Sequence, residues 1–170
     1  MFERFNIFKQ EQAAMKLEEG PLFLLGKFDR EKKDAEARLL ASCNKIKKHF
    51  EGIKEIASGL NSKSSPNTYA NSIKAKFCEK CTEAIDSLPG FSGSYESLAV
   101  YIAAAATAMQ SIGGINLKEF RHLHAFKDDM TGIAEIIKAL ESEITASNKI
   151  LSGSVMKTVQ EINAVVAEID

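Results

Sequence analysis

The stretch SLAVYIAAAATAMQSIGGINL, residues 97–117, runs for twenty-one positions without a charged side chain. Its flanks are dense in Lys, Glu and Asp, so the way this segment is buried decides the fold. About twenty residues are enough to cross a bilayer. Six of these twenty-one are Ala, however, and Ser97, Thr107, Gln110, Ser111 and Asn116 are polar. The apolar positions Leu98, Ile102, Ala105, Met109 and Ile112 step 4, 3, 4, 3. That is the stripe of an amphipathic helix, whereas a lipid-facing helix is apolar all round. The segment is therefore predicted to be the central helix of a bundle, covered by partners on most sides, in preference to a membrane span or a membrane-inserting hairpin.

The same spacing recurs on both sides. From Ala35 through Leu39, Cys43, Ile46, Phe50, Ile53, Ala57 and Leu60 the apolar steps are 4, 4, 3, 4, 3, 4 and 3, the seam of one long helix. Gly59 and NSKSSPN end it. A second helix carries Tyr69, Ile73, Phe77, Cys81, Ala84, Ile85 and Leu88 on one face, and LPGFSGS at residues 88–94 breaks the chain after it. Ser94 is placed to cap the uncharged helix, which Gly113–Gly114 closes. NLKE, residues 116–119, matches a capping box with Asn in the first position. Beyond it Leu123, Phe126, Met130, Ile133, Ile137, Leu140, Ile144, Ser147 and Leu151 keep a strict 3, 4 alternation, and Val155, Ile162, Val165 and Ile169 hold the same register through SGS at residues 152–154. That unbroken register favours a continuous or merely kinked C-terminal helix.

No stretch alternates with the two-residue period of a strand, and there is no internal repeat. The expectation is an all-α fold: an elongated antiparallel helical bundle of four to six helices with coiled-coil-like seams and a long C-terminal helix. It forms one domain over residues 1–170. The helices fall at about 2–19, 27–60, 67–88, 94–112, 116–151 and 155–169, the last two joined or nearly so. Leu22, Phe23, Leu24 and Leu25 are too apolar for water and are expected to be buried under the bundle or in a partner.

The chain of 170 residues is 45% hydrophobic and 26% charged with a net charge of −1, so no global field draws it to nucleic acid or to anionic membrane. The N-terminus MFERFNIFKQEQ is charged from its third residue and does not read as a secretory signal. Three cysteines, an odd number without framework spacing, point to a reducing, cytoplasmic compartment, with a peripheral membrane location as the variant.

Candidate sites each compete with a plainer explanation. Cys78 and Cys81 form a CxxC pair able to share a zinc ion with two further ligands, but Cys81 lies on the apolar seam. Glu119 and His122 have the Glu-x-x-His spacing of four-helix di-iron proteins, yet the motif occurs once and Glu119 is accounted for by its capping position. No nucleophile elbow, phosphate loop or pair of carboxylates in a glycine-rich loop is found, so no catalytic residue, cofactor or small-molecule substrate is expected.

The charge layout is more informative. Residues 43–80 hold eight lysines against three glutamates, a net of +5, while residues 116–170 net −3. In a hairpin of the helices flanking NSKSSPN, Lys54, Lys63, Lys74 and Lys76 gather at the tip, a solvated face or a surface for an acidic partner or anionic lipid. Interleaved aromatics for base stacking are missing there, which argues against nucleic acid.

These observations favour a non-enzymatic interaction or scaffold module. Its longest seam, represented by Met130, Ile137, Ile144, Leu151 and Ile162, is longer than the shorter helices can cover, so self-association as a homodimer or docking of a partner helix is expected. A second reading is a peripheral membrane dimer with basic tips, which in architecture resembles the membrane-curving BAR-type crescents. A third is a zinc or di-iron bundle.

Overall fold

The computed structural model describes residues 20–114 and 126–169. The expected N-terminal helix over 2–19 lies outside the described residues, as do Asn116, Glu119, His122 and Leu123. Every described element is a helix: α1 Gly20–Ser62, α2 Thr68–Asp86, α3 Tyr95–Gly113, α4 Lys127–Leu151 and α5 Ser154–Ala167. The fold is an all-α helical bundle. The chain forms two compact units, a central one over Leu39–Asn148 and a terminal one made of Met1–Arg38 with Lys149–Asp170.

In the central unit the α1 seam is sealed. Leu39, Cys43, Ile46, Phe50, Ile53, Ala57 and Leu60 are all buried, joined by Phe77 and Cys81 of α2, Leu98, Tyr101, Ile102, Ala105 and Ile112 of α3, and Met130, Ile133, Leu140 and Ile144 of α4. Each fully buried large apolar side chain contributes about 1.5–3 kcal/mol relative to exposure. Four helices with one apolar stripe apiece close such a core because each stripe finds partners on two sides.

Local chemistry sets the helix ends. Asn67 begins α2: its side-chain oxygen accepts from the backbone N–H of Tyr69 at 3.0 Å and of Ala70 at 3.4 Å. Ser94 begins α3 by accepting from the N–H of Ser97 at 3.3 Å. Between them Pro89, two residues past the Ser87 cap, prevents α2 from continuing. Two glycines set the approach of α1 to α4. A Cβ on Gly52 would stand 3.3 Å from Cδ1 of Ile136, and one on Gly132 would stand 3.3 Å from Cδ1 of Ile56. Each isoleucine thus lies over the other helix's missing side chain, in antiparallel register.

The uncharged helix departs from its expectation. α3 buries Leu98, Tyr101, Ile102, Ala105, Ala108 and Ile112, but Val100, at 61% exposure, with Ala103, Thr107 and Gln110, faces outward. It is a wall of the core rather than its centre. An outward face of Ala and Thr exposes little apolar area per residue, so water contact there costs little.

The long C-terminal helix is joined as expected, with a two-residue interruption at 152–153 between α4 and α5. Ile150 accepts from the N–H of Gly153 at 3.2 Å to close one, and the carbonyl of Gly153 accepts from Lys157 at 3.1 Å to open the next. At Gly153 the backbone has φ −87° and ψ −133°, far from helical values. A Cβ there would lie 3.0 Å from the carbonyl oxygen of Lys149. The apolar register survives a two-residue interruption, which is why periodicity alone did not reveal it.

In the terminal unit the described parts are residues 20–38 of α1 and residues 149–169. α1 starts seven residues earlier than its seam predicts, with Pro21 in its first turn, where a missing N–H leaves no bond unmade. The two segments run antiparallel. Lys27 pairs with Glu161 at 3.5 Å, and four residues on the Thr158 hydroxyl donates to the Glu31 carboxylate. Among the described residues of this unit only Ala35, Val155 and Thr158 are buried.

Candidate functional site

The four lysines expected to form a basic tip do not form a free cationic surface. Lys74 is 6% exposed and points inward. Its ammonium donates to the carbonyl oxygens of Asn61, at 3.3 Å, and of Lys63, and lies 5.6 Å from the centroid of the Phe126 ring. A cation at the C-terminal carbonyls of α1 satisfies acceptors the helix cannot, and opposes the negative end of its dipole. Lys74 is therefore a structural cap, a correction to its assignment as a surface group. Lys63 pairs with Asp129 at 2.8 Å and Lys54 with Asp86 at 3.1 Å. Lys76 stays exposed.

Cys78 and Cys81 are buried, and the Cys78 thiol donates to the carbonyl of Ala57 at 3.3 Å. Burial pushes the Cys81 thiol up to about 12, with Cys78 beside it adding to the shift, and burial raises Cys78 itself against the opposing pull of Lys74. Cys43 is raised to about 11 by burial alone. Nucleophilic attack needs the thiolate, and burial favours the protonated form of all three thiols. Among the described residues no three His, Cys, Asp or Glu side chains come together as a metal site. Glu119 and His122 lie outside the described residues.

The self-association seam divides. Met130 and Ile144 are buried in the central unit, with Ile137 half-buried beside them, so its own chain occupies this part. Leu151 and Ile162 belong to the terminal unit and are half-buried. Large apolar side chains are left open there: Leu22 at 69% exposure and Phe23 at 64%, with Leu25, Met156, Val166 and Ile169 also exposed. The burial expected for residues 22–25 is not found among the described residues; Leu24 alone is half-covered.

The pairings 27 with 161 and 31 with 158 set residues 22–23 level with residues 165–166. Leu22, Phe23, Leu25, Val166 and Ile169 therefore share one end of this helical pair. Residues 20–26 and 162–167 contain no Asp, Glu, Lys or Arg. Leu22, Phe23, Leu25, Val166 and Ile169 each leave between 45% and 69% of their surface open. The sequence already carried this signal as an uncharged GPLFLLG run off the seam's register, but it gave no sign that the second helix would leave the run uncovered.

No helix among the described residues is long and apolar enough to cross a membrane. Compared with protein-family models, curated proteins and solved structures, the chain matches none of them.

Proposed function

We propose that this chain is a non-enzymatic helical interaction module that self-associates through the apolar end of its terminal unit. The observation that carries the reading is the exposure of Leu22, Phe23, Leu25, Val166 and Ile169 at one level of an antiparallel helical pair. A two-fold contact sets a patch against its own copy, so any net charge in it would repel. Residues 20–26 and 162–167 carry no charge, and Glu168 and Asp170 flank the patch at Ile169. The central unit supports the same reading from the other side, because its thiols and most of its apolar stripe are buried in its own core.

Sedimentation velocity on the full chain across a concentration series tests it. The expected result is a dimer that the double substitution Leu22→Asp, Phe23→Asp converts to monomer while the helical circular dichroism signal is retained. A monomer at every concentration, or a dimer indifferent to both substitutions, overturns the reading.

A further inference from the structure

A second surface, independent of the apolar end, lies wholly within the central unit. α1, the C-terminal end of α2, the 88–91 turn and α3 enclose a groove of about 610 Å³. That is within the size of small-molecule sites, which run from about 300 to 1,000 Å³. Its two walls differ. Asn44, Lys47, Glu51 and Lys54 repeat at helical spacing along one face of α1 and make a polar wall, about 15 Å long at 1.5 Å per residue. Ile85, Leu88, Pro89 and Phe91 make an apolar wall opposite, and Phe50 and Tyr101 line the groove between them.

The aromatic part of the lining is open on one side. The Phe91 and Tyr101 rings pack at 4.5 Å between centroids with a 50° tilt. Tyr101 is buried beneath, whereas Phe91 is only half-covered. A tilted ring pair with one exposed member accepts a third flat apolar body in edge-to-face or offset contact. Burial, with Cys43 and Glu51 adding to it, pushes the Tyr101 hydroxyl up to about 12, so it remains a neutral group at physiological pH.

The polar wall distinguishes its own ends. Lys54 is engaged with Asp86 at 3.1 Å. Lys47 is exposed and makes no ion pair among the described residues, and Asn44 stands one turn from it. Glu51 lies one turn from Lys47 on the other side and repels an anion from the middle of the groove. An acidic ligand group therefore settles at the Asn44–Lys47 end, with its apolar body against Phe91 and the 88–89 turn.

We infer that this groove is a binding site for a small aromatic carboxylate, its ring bedded on Phe91 beside Tyr101 and its anion held by Lys47 and Asn44. The probe is 2-naphthoate titrated into the uniformly 15N-labelled full chain, followed by amide shifts, with the neutral alcohol 2-naphthalenemethanol as its isosteric control. The expected result is saturable shifts confined to residues around 44–51, 88–91 and 101. Lys47→Glu should weaken naphthoate about tenfold or more and leave the alcohol's weaker binding unchanged. Both Lys47→Glu and the milder Lys47→Gln sit on an exposed helix face, so the fold is retained. No saturable shift, shifts that centre on the 22–25 end, or equal affinity for acid and alcohol would each overturn the assignment.

Discussion

The two units share the helix α1 and reach opposite outcomes. Along α1, Leu39 to Leu60 is a stripe stepping three and four residues, and every member is buried. Upstream in the same helix the apolar run 22–25 lies off that register and the residues after it are mostly charged; among the described residues of 20–38, Ala35 alone is buried. The difference is in the number of partners. In the central unit the stripe forms one wall of a four-helix core, and each side chain is enclosed by two or more neighbours. In the terminal unit the described partner is a single antiparallel helix, which can cover one face of α1 and no more. A side chain such as Phe23 is left 64% exposed among the described residues. Periodicity fixes which face of a helix is apolar; how many other faces meet it decides whether burial follows.

The largest effects should therefore come from emptying the central core. Phe50→Ala removes a fully buried ring and should lower unfolding stability by about 3–5 kcal/mol, read from urea denaturation midpoints at constant slope. Val155→Ala, a smaller truncation at a buried site of the terminal unit, should lower it by less. Equal losses at the two positions would dissolve the contrast between the units.

Lys74→Met comes next. It preserves the aliphatic stem but strips the carbonyls of Asn61, in the last turn of α1, and of Lys63, just past it, of their donor, at an expected loss of about 1–3 kcal/mol. Lys76→Met, two residues away on the exposed face, should stay within about 0.5 kcal/mol. If thermal melting shows the two variants to be alike, the inward role of Lys74 is wrong.

These two lysines also show where sequence reading reaches its limit. The spacing of Leu39 to Leu60, the cap at Ser94, and the breaks at 88–94 and 113–114 are legible in the sequence because they depend on local chemistry. Lys74 was read as a tip charge because its neighbours Lys63 and Lys76 are also basic. Only the loop that brings the C-terminal carbonyls of α1 over α2 reveals it as a cap. Gly52 and Gly132 passed unnoticed because a single glycine in a helix costs only about 1 kcal/mol against alanine and carries no pattern. Their meaning is pairwise, each under the other helix's isoleucine. The apolar end was visible as GPLFLLG and was expected to be covered, since nothing in a linear pattern counts the helices available to cover it.

A third test uses pH and acts on the central unit alone. Native Cys43 and Cys81 hold their protons to about 11 and about 12, against 9.0 for the unfolded thiol. Below pH 9 both states are protonated and the full stability is present. Above it the unfolded chain releases protons that the native one keeps, so stability falls as pH rises through the native values. Thermal midpoints measured from pH 7 to 10.5 should be level to about pH 9 and then decline. The Cys43→Ala, Cys81→Ala double variant should show a shallower alkaline decline from a lower starting midpoint. A decline of unchanged steepness would assign the alkaline sensitivity to Tyr101 or to other groups.

The smallest stability effect is predicted where the apolar exposure is greatest. Phe23 already meets water over about two-thirds of its surface, so Phe23→Ser removes little burial from the folded chain. Surface changes of this kind stay within about 0.5 kcal/mol when measured at a concentration where the chain is monomeric. At high concentration the same substitution should act differently. A side chain exposed in the monomer and buried between copies contributes only in the assembled state, where mass action adds its stabilisation to the fold. The wild-type melting midpoint should therefore rise with protein concentration, while the midpoint of Phe23→Ser stays flat. Midpoints that move in parallel for both proteins would place the contact elsewhere. If neither depends on concentration, the terminal unit's apolar end is not where two copies meet, and its sparse core has to be stable without a second chain.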